Sequence, residues 1–252
     1  MTATPDFSAA ERTIRVDLAA AYRLVALQGW DDMIFTHISA RIPGPEHHFL
    51  INPYGMLFSE ITASSLVKIG LDGKALTESR FPVNPAGFTI HSAVHEVRDD
   101  AACVMHLHTL DGTAVSTTRE GLLPLNQTAQ LVIGDLAYHD YEGVALDHAE
   151  RPRLQQDLGD KSSMLLRNHG TLTVGRSVAD AFMRMYYLER ACSMQVRTRL
   201  LGRADELYPT APAVIEKNVA LSRTGGLTYL ANELLWPALL RKLDRTDPSF
   251  RD

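Results

Sequence analysis

The stretch Val104-Met105-His106-Leu107-His108-Thr109 decides most of what this sequence predicts. Alternate residues of a β-strand point to the same face, so we expect His106 and His108 to direct two imidazoles into one pocket. Farther along the chain, Arg167-Asn168-His169-Gly170-Thr171 places another histidine at a turn between two apolar runs. A third imidazole from this turn would complete a metal site.

The residue types at this candidate site favour an open, catalytic ion. Neutral imidazole suits zinc, iron or manganese, and three such ligands leave coordination positions for water or substrate. A structural zinc site normally closes with a fourth ligand, yet Cys103 precedes the pair and Cys192 lies in a later helix. The competing interpretation is that His106 and His108 are core or edge residues with ordinary hydrogen-bond partners.

Composition narrows the classes of protein that this chain can belong to. A chain of 252 residues with 45% hydrophobic residues can bury a full core. Its net charge of -5 provides no basic surface for nucleic acid or anionic membrane. The two cysteines form no short-spaced motif, and we find neither a signal-peptide pattern nor an apolar run long enough to span a membrane. We therefore expect a cytoplasmic protein that binds neither nucleic acid nor membranes.

Hydrophobic periodicity predicts helices on both faces of a largely antiparallel sheet. An amphipathic helix runs from Ala9 to Gln28, with Ser8 as its N-cap and Gly29 at its end. Strands around 35–42 and 48–51, and a hairpin at Asp72-Gly73, then form a β-meander. Later patterns predict helices near 85–98, 111–119, 147–158 and 177–201, strands near 104–108, 135–138, 163–167 and 171–174, and a polar loop after 119.

From about Ala10 to Leu201 the sequence resembles the class II aldolase/adducin family, on segments that occur in the family's order. These segments are Gly29-Trp30-Asp31-Asp32 with 35–41, Ile51-Asn52-Pro53-Tyr54-Gly55, 86–93, 104–109, Tyr138-His139-Asp140-Tyr141-Glu142-Gly143 and 166–170. The resemblance implies an α/β fold of three layers, α/β/α, around a central, mostly antiparallel sheet. It also implies a homotetramer with active sites at subunit boundaries.

The same resemblance implies that His106, His108 and His169 bind one divalent metal ion per subunit. We expect zinc, with manganese or iron as alternatives. The resemblance further implies a class II aldolase/adducin-like domain over residues 1–205. The prolines after this domain break the last long helix, and we expect residues 206–252 to form a tail that packs on the same or a neighbouring subunit.

The chain departs from the sugar-phosphate aldolases of this family at their catalytic and phosphate-binding positions. Two serines and an acid/base glutamate of those enzymes align here with Pro85, Ala86 and Gly87. An asparagine that assists phosphate binding aligns with His37, and a proton-donating tyrosine of the neighbouring subunit aligns near Gln127. We therefore do not expect a sugar-phosphate aldolase, and we take His37, Gly87 and Gln127 as candidate substrate-binding positions.

Other residues are candidates for substrate binding or proton transfer. Gly55 lies in a tight turn whose backbone amides can approach a ligand, although ordinary turn chemistry is the favoured explanation. In place of the missing glutamate, the candidates for proton transfer are His91, Tyr138, His139 and Tyr141. His91 leads because it lies near the start of a helix, beside the position of the missing glutamate. A structural role in orienting a ligand remains open for His91, and packing remains open for the tyrosines.

The sequences of residues 87–91 and 137–141 are closer to the adducin head domain and its bacterial relatives than to the aldolases. Because all three candidate ligands are present, we favour a metal-dependent lyase that decarboxylates a small non-phosphorylated hydroxy, keto or aromatic acid, or cleaves it by retro-aldol chemistry. One alternative is a non-haem iron oxygenase of an aryl-pyruvate-type acid. The other is a non-catalytic adducin-like scaffold or binding module.

Overall fold

The computed structural model describes residues 7–144, 147–222, 224 and 226–252. The start of the chain, on which the expected absence of a signal peptide rests, lies partly outside these ranges. The helices are α1 Ala9–Gln28, α2 Pro85–Val97, α3 Leu110–Ser116, α4 Gln127–Ile133, α5 Arg151–Leu158, α6 Val178–Leu201, α7 Pro212–Ser222, α8 Gly226–Tyr229 and α9 Trp236–Thr246, with a π-helical segment Leu230–Leu235 before α9. The strands are β1 His37–Arg41, β2 Phe49–Ile51, β3 Val67–Ile69, β4 Cys103–Leu107, β5 Leu136–His139, β6 Ser163–Leu166 and β7 Gly170–Gly175. Within the described ranges, no helix is both long and apolar enough to cross a lipid bilayer.

The strands form one sheet in the order β3-β2-β1-β4-β7-β6-β5. Neighbouring strands are antiparallel except β5 and β6, which run parallel and are joined through α5. Strands β1 to β3 form the expected meander at one edge, and β4, which carries His106, is the central strand. The predicted α/β fold with a mostly antiparallel sheet is confirmed.

The two faces of the sheet are covered by different helices. Ile38 of β1 and Met105 of β4 lie on one face, in a core that they share with α1 and α6. Val104 and His106 lie on the other face, and Val104 packs there with apolar residues of α2 and α5. The sheet is therefore the middle layer of an α/β/α sandwich, as the resemblance implied.

Helix α1 has the start and end that its sequence predicts. The Ser8 side chain accepts a hydrogen bond from the backbone N–H of Glu11, and Gly29 ends the helix in a left-handed conformation with a φ of 67°. Its buried face carries Tyr22, whose hydroxyl accepts a hydrogen bond from the N–H of Ile38 at 2.7 Å. The same hydroxyl lies 2.8 Å from Oδ1 of Asn52 and ties α1 to the first strands of the sheet.

Three local predictions need correction. The predicted polar loop after residue 119 contains α4, which begins where the Asn126 side chain accepts a hydrogen bond from the N–H of Ala129. Strand β1 begins later than predicted because Thr36 has a φ of 67°, which does not fit an extended chain. The Asp72-Gly73 turn forms, but its second arm makes only a single bridge, between Ala75 and Ile69.

The C-terminal tail packs on the core of its own chain. Nε1 of Trp236 donates a hydrogen bond to Oδ1 of Asp17 in α1 at 2.8 Å. Near the end of the chain, the backbone oxygen of Phe250 accepts from the N–H of Ala63 at 2.9 Å, and the Phe250 ring is fully buried. The division of the chain at residue 205 stays a prediction.

We expect Tyr22→Phe to destabilise the protein by about 1–3 kcal/mol, because it leaves buried N–H groups of Ile38 and Asn52 without an acceptor. Urea denaturation measures this free energy of unfolding. The matched control is Tyr208→Phe, because Tyr208 is 98% exposed. Equal urea midpoints for the two variants would contradict the proposed role of the buried hydroxyl.

Candidate metal centre

Three imidazoles converge at the end of the central strand. His106 lies on β4 and His108 follows it, both on the face that α2 and α5 cover. His169 comes from the turn between β6 and β7, which Asn168 makes with a φ of 55°. One ring nitrogen from each histidine lies within 4.8 Å of those of the other two.

A glycine allows the two ligand-bearing segments to approach each other. A Cβ atom at Gly170 would lie 2.5 Å from the backbone oxygen of Leu107 and 3.1 Å from Cδ2 of His108. Backbone atoms of a central strand cannot move aside, so only glycine permits this pairing of β7 with β4. His169, the residue before Gly170, is thereby held close to His108.

Hydrogen bonds orient two of the rings. Nδ1 of His106 lies 3.0 Å from the backbone oxygen of Thr171, and a carbonyl oxygen can only accept, so this nitrogen carries the proton. Nδ1 of His108 donates in the same way to Oδ2 of Asp32 at 3.0 Å. Both partners hold a proton on Nδ1 and turn Nε2 toward the other rings, the arrangement of histidines that bind metal ions.

The residues present fit a divalent ion. Nε2 of His108 is buried and has no hydrogen-bond partner in the described part of the chain, which is rare unless another ligand satisfies the atom. Burial and the neighbouring imidazoles lower the pKa of His106 well below its usual value and that of His169 to about 4. The rings of His106 and His169 are therefore neutral near pH 7, the form that binds metals.

The cysteines play no part in this site. Cys103 points to the opposite face of β4, and Cys192 is a buried residue of α6 itself. Burial raises the pKa of both thiols, which disfavours the thiolate that a metal would need. Three nitrogen donors, with no fourth ligand grouped with them in the part of the chain that the structure describes, correspond to the open type of site.

Three further candidate residues lie beside the triad. His37 is the cross-strand neighbour of His106, and their ring centroids are 5.1 Å apart. Nε2 of His91, from α2, lies 2.8 Å from Nδ1 of His37. A Cβ atom at Gly87 would lie 2.6 Å from Cδ2 of His37, so the glycine lets the start of α2 rest on this ring.

The three candidates for proton transfer on β5 and in the loop after it, which are Tyr138, His139 and Tyr141, differ in their position relative to the triad. The ring of Tyr141 is half exposed, with its centroid 6.2 Å from that of His169. His139 is buried, and its nitrogens contact Asp157 at 2.7 Å and Glu150 at 3.2 Å. Tyr138 faces the opposite side of the sheet, where its hydroxyl accepts from the N–H of Leu122 and its ring stacks on Arg167.

Gly55 and Gln127 are not brought to the triad within one copy of the chain. Gly55 has a φ of 135° and lies against the ring of Phe81. Gln127 is exposed at the start of α4, on the face away from the histidines. The roles proposed for these two residues stay predictions.

Three polar residues at the site were not assigned a role from the sequence. The carboxylate of Asp32 contacts Nδ1 of His108, while Oγ of Ser39 is hydrogen-bonded both to His91 and to His95. Two local signals were available: Ser39 follows His37 on the same face of β1, and His95 lies one turn after His91 on α2. Asp32 had no such signal, because its contact with His108 spans 76 residues.

Two cavities differ in their relation to the triad. An open cavity of about 550 Å³ borders Asn168 and Tyr141 and includes the exposed Arg119. Another, of about 470 Å³, lies at the opposite end of β4, where Arg184 pairs with Asp135 at 2.8 Å. The first cavity is therefore the one beside the turn that carries His169, although none of the three histidines is among its lining residues.

We expect Asp32→Ala to weaken zinc binding by about 10- to 100-fold, because His108 loses the acceptor that orients it. Competition with a chromophoric chelator measures this affinity. Asp31→Ala is the control, since it makes the same change of charge at the adjacent residue. If the two variants bind zinc equally well, Asp32 does not orient the ligand.

Comparison with known proteins agrees with this architecture. Residues 16–196 match the family model for the class II aldolase and adducin N-terminal domain. A Caulobacter vibrioides protein, provisionally named as an aldolase class 2 protein, is 57% identical over 245 residues that cover 97% of this chain and 94% of that protein. Alpha-adducin of Mus musculus is 48% identical over 248 residues, which cover 93% of this chain and 33% of adducin.

A solved structure shows the same fold over the whole chain. The crystal structure of an aldolase II superfamily protein from Pseudomonas syringae has a TM-score of 0.91 and 48% identity, and the match covers 98% of both chains. The family match spans well over half of the sequence and includes all three histidines of the triad. This chain therefore belongs to the class II aldolase and adducin family.

Proposed function

We propose that this protein is a metal-dependent lyase that cleaves a C–C bond of a small, non-phosphorylated acid by decarboxylation or retro-aldol chemistry. The observation that carries the proposal is the triad of imidazoles, in which the buried Nε2 of His108 has no partner in the described chain. His106, His108 and His169 would hold the ion. We favour zinc because three nitrogen ligands with an open position suit it, and manganese or iron also fits.

A divalent ion bound to the triad would stabilise the negative charge that develops as the C–C bond breaks. The chain contributes the orientation of the site, since Thr171 and Asp32 fix the rings of His106 and His108. Burial of His106 under α2 excludes water from one side. Substrate would enter from the side of Tyr141, which is half exposed.

The surroundings of the triad favour an acid without a phosphate group. The start of α2 lies on the ring of His37 at Gly87, where the sugar-phosphate aldolases have the residues that bind phosphate. Nη1 of Arg167 already donates a hydrogen bond to the backbone oxygen of Thr118 at 2.6 Å. The exposed Arg119 of the open cavity is the better candidate for a substrate carboxylate.

His91 and Tyr141 are the candidates that we retain for proton transfer. His91 reaches the triad through His37, while Tyr141 lies beside His169 at the open side of the site. We do not propose Tyr138 as the proton donor, because it faces the other side of the sheet. His139 is held between two carboxylates and would act only from a distance.

We also propose that the protein is a cytoplasmic homo-oligomer, most simply the tetramer that its resemblance to class II aldolases implies. Leu110, Leu200 and Leu201 are each more than 80% exposed, and self-association would cover such apolar side chains. Two free, buried cysteines agree with a reducing compartment.

The function is tested by loading the protein with zinc, manganese or ferrous iron and supplying hydroxy, keto and aromatic acids. We expect metal-dependent release of carbon dioxide or of a carbonyl product. His106→Ala and His108→Ala should lose both the metal and turnover, whereas His148→Ala, at an exposed histidine, should keep them. Oxygen consumption by the iron form would support the oxygenase instead. A stable oligomer that takes up no metal and turns over no acid would support the adducin-like scaffold.

A further inference from the structure

A hydrogen-bonded series of buried side chains, formed by His37, His91, Ser39 and His95, leads away from the triad on the side of β1 and α2. Nδ1 of His37 lies 2.8 Å from Nε2 of His91, and Nδ1 of His91 lies 2.5 Å from Oγ of Ser39. The same Oγ lies 2.7 Å from Nε2 of His95, whose Nδ1 lies 3.0 Å from the backbone oxygen of Ala101. Each of the four side chains is at most 3% exposed.

His95, at the far end of this hydrogen-bonded series, determines which nitrogen of each ring carries the proton. The carbonyl oxygen of Ala101 can only accept, so Nδ1 of His95 must donate to it. Burial lowers the pKa of His95 to about 3, and the ring is neutral near pH 7 with a single N–H. Nε2 of His95 therefore accepts the hydroxyl proton of Ser39.

The remaining protons follow from this first assignment. Ser39 has one hydroxyl proton, which goes to His95, so its oxygen accepts from Nδ1–H of His91. Nε2 of His91 is then unprotonated and accepts from Nδ1–H of His37. His37 and His91 are both 3% exposed, and burial disfavours a charged ring. With one proton in each contact, Nε2 of His37 is therefore left without a proton.

His37 presents this nitrogen next to the candidate metal centre. Its ring is packed against that of His106, with centroids 5.1 Å apart, but it does not belong to the set of three ligands. Nε2 of His37 has no hydrogen-bond partner within the described ranges, while Nδ1 is occupied by His91. The side chain is 3% exposed, and Nε2 is the ring nitrogen left to face a molecule bound at the triad.

We propose that Ser39 and His95 are positioning residues, which hold His37 so that its unprotonated Nε2 accepts a hydrogen bond from a hydroxyl group of the substrate. A phosphate or keto oxygen at this place is itself an acceptor and cannot form that bond. The site would therefore prefer a 2-hydroxy acid over the corresponding 2-keto acid. This preference rests on the proposed function, whereas the order of protons along the hydrogen-bonded series does not.

Nitrogen NMR of the zinc-loaded protein with ¹⁵N-labelled histidine tests the order of protons. We expect His37 and His91 each to carry the proton on Nδ1. Ser39→Ala removes the link and should give mixed tautomers at both rings, and Ser39→Thr should restore the wild-type pattern. Zinc affinity should stay within about three-fold in Ser39→Ala, because His106 and His108 are oriented by Thr171 and Asp32 instead.

Calorimetric titration of the same zinc-loaded proteins with lactate and pyruvate tests the preference for a hydroxyl group. We expect the ratio of their affinities to shift by about ten-fold toward pyruvate in Ser39→Ala, which is about 1.4 kcal/mol for one hydrogen bond, and to recover in Ser39→Thr. Comparing ratios cancels the intrinsic preference of zinc for either acid.

The outcomes separate this proposal from the proposed function. A proton on Nε2 of His37, or tautomers that Ser39→Ala leaves unchanged, would overturn the assigned order of protons along the hydrogen-bonded series. Equal affinity ratios in wild type and Ser39→Ala would overturn the hydroxyl preference. If no acid is turned over while the tautomers are as expected, the lyase function fails and the positioning role of Ser39 and His95 stands.

Discussion

The antiparallel pairing of β4 with β1 on one side and β7 on the other is the constraint on which the rest of the structure depends. It sets His37 opposite His106 and brings the turn of His169 to the end of the same strand. Because side chains alternate, a register shift of one residue would turn His37 into the core that belongs to Ile38. The apolar residues of the other face therefore maintain the position of the imidazoles.

The parts of the structure that the sequence predicted are those with a short-range signal. The alternation in β4 predicted that His106 and His108 share a face, and the caps of α1 predicted its bounds. The order of the family's segments supplied the third candidate ligand, His169, which periodicity alone does not connect to the pair. Helix α4 was missed because it has only seven residues, and its N-cap, Asn126, was interpreted as part of a loop.

The supporting residues of the site could not be predicted, because their contacts are not local. Asp32 meets His108 only after the sheet has formed, and the bonds of Ser39 join β1 to α2. The pattern also does not show which face a given residue takes. Tyr138 and His139 are adjacent on β5, so only one of them can lie on the side of the histidines, and the packing against α6 places Tyr138 on the other.

Because Gly170 has no side chain, the candidate metal centre tolerates substitution at this position poorly, although Gly170 itself binds nothing. A single methyl group there would press on the oxygen of Leu107 and on the His108 ring at once. Both halves of the site would separate, although every nitrogen donor would still be encoded. Among relatives, replacement of this glycine should therefore disrupt the site as surely as the loss of one of its histidines.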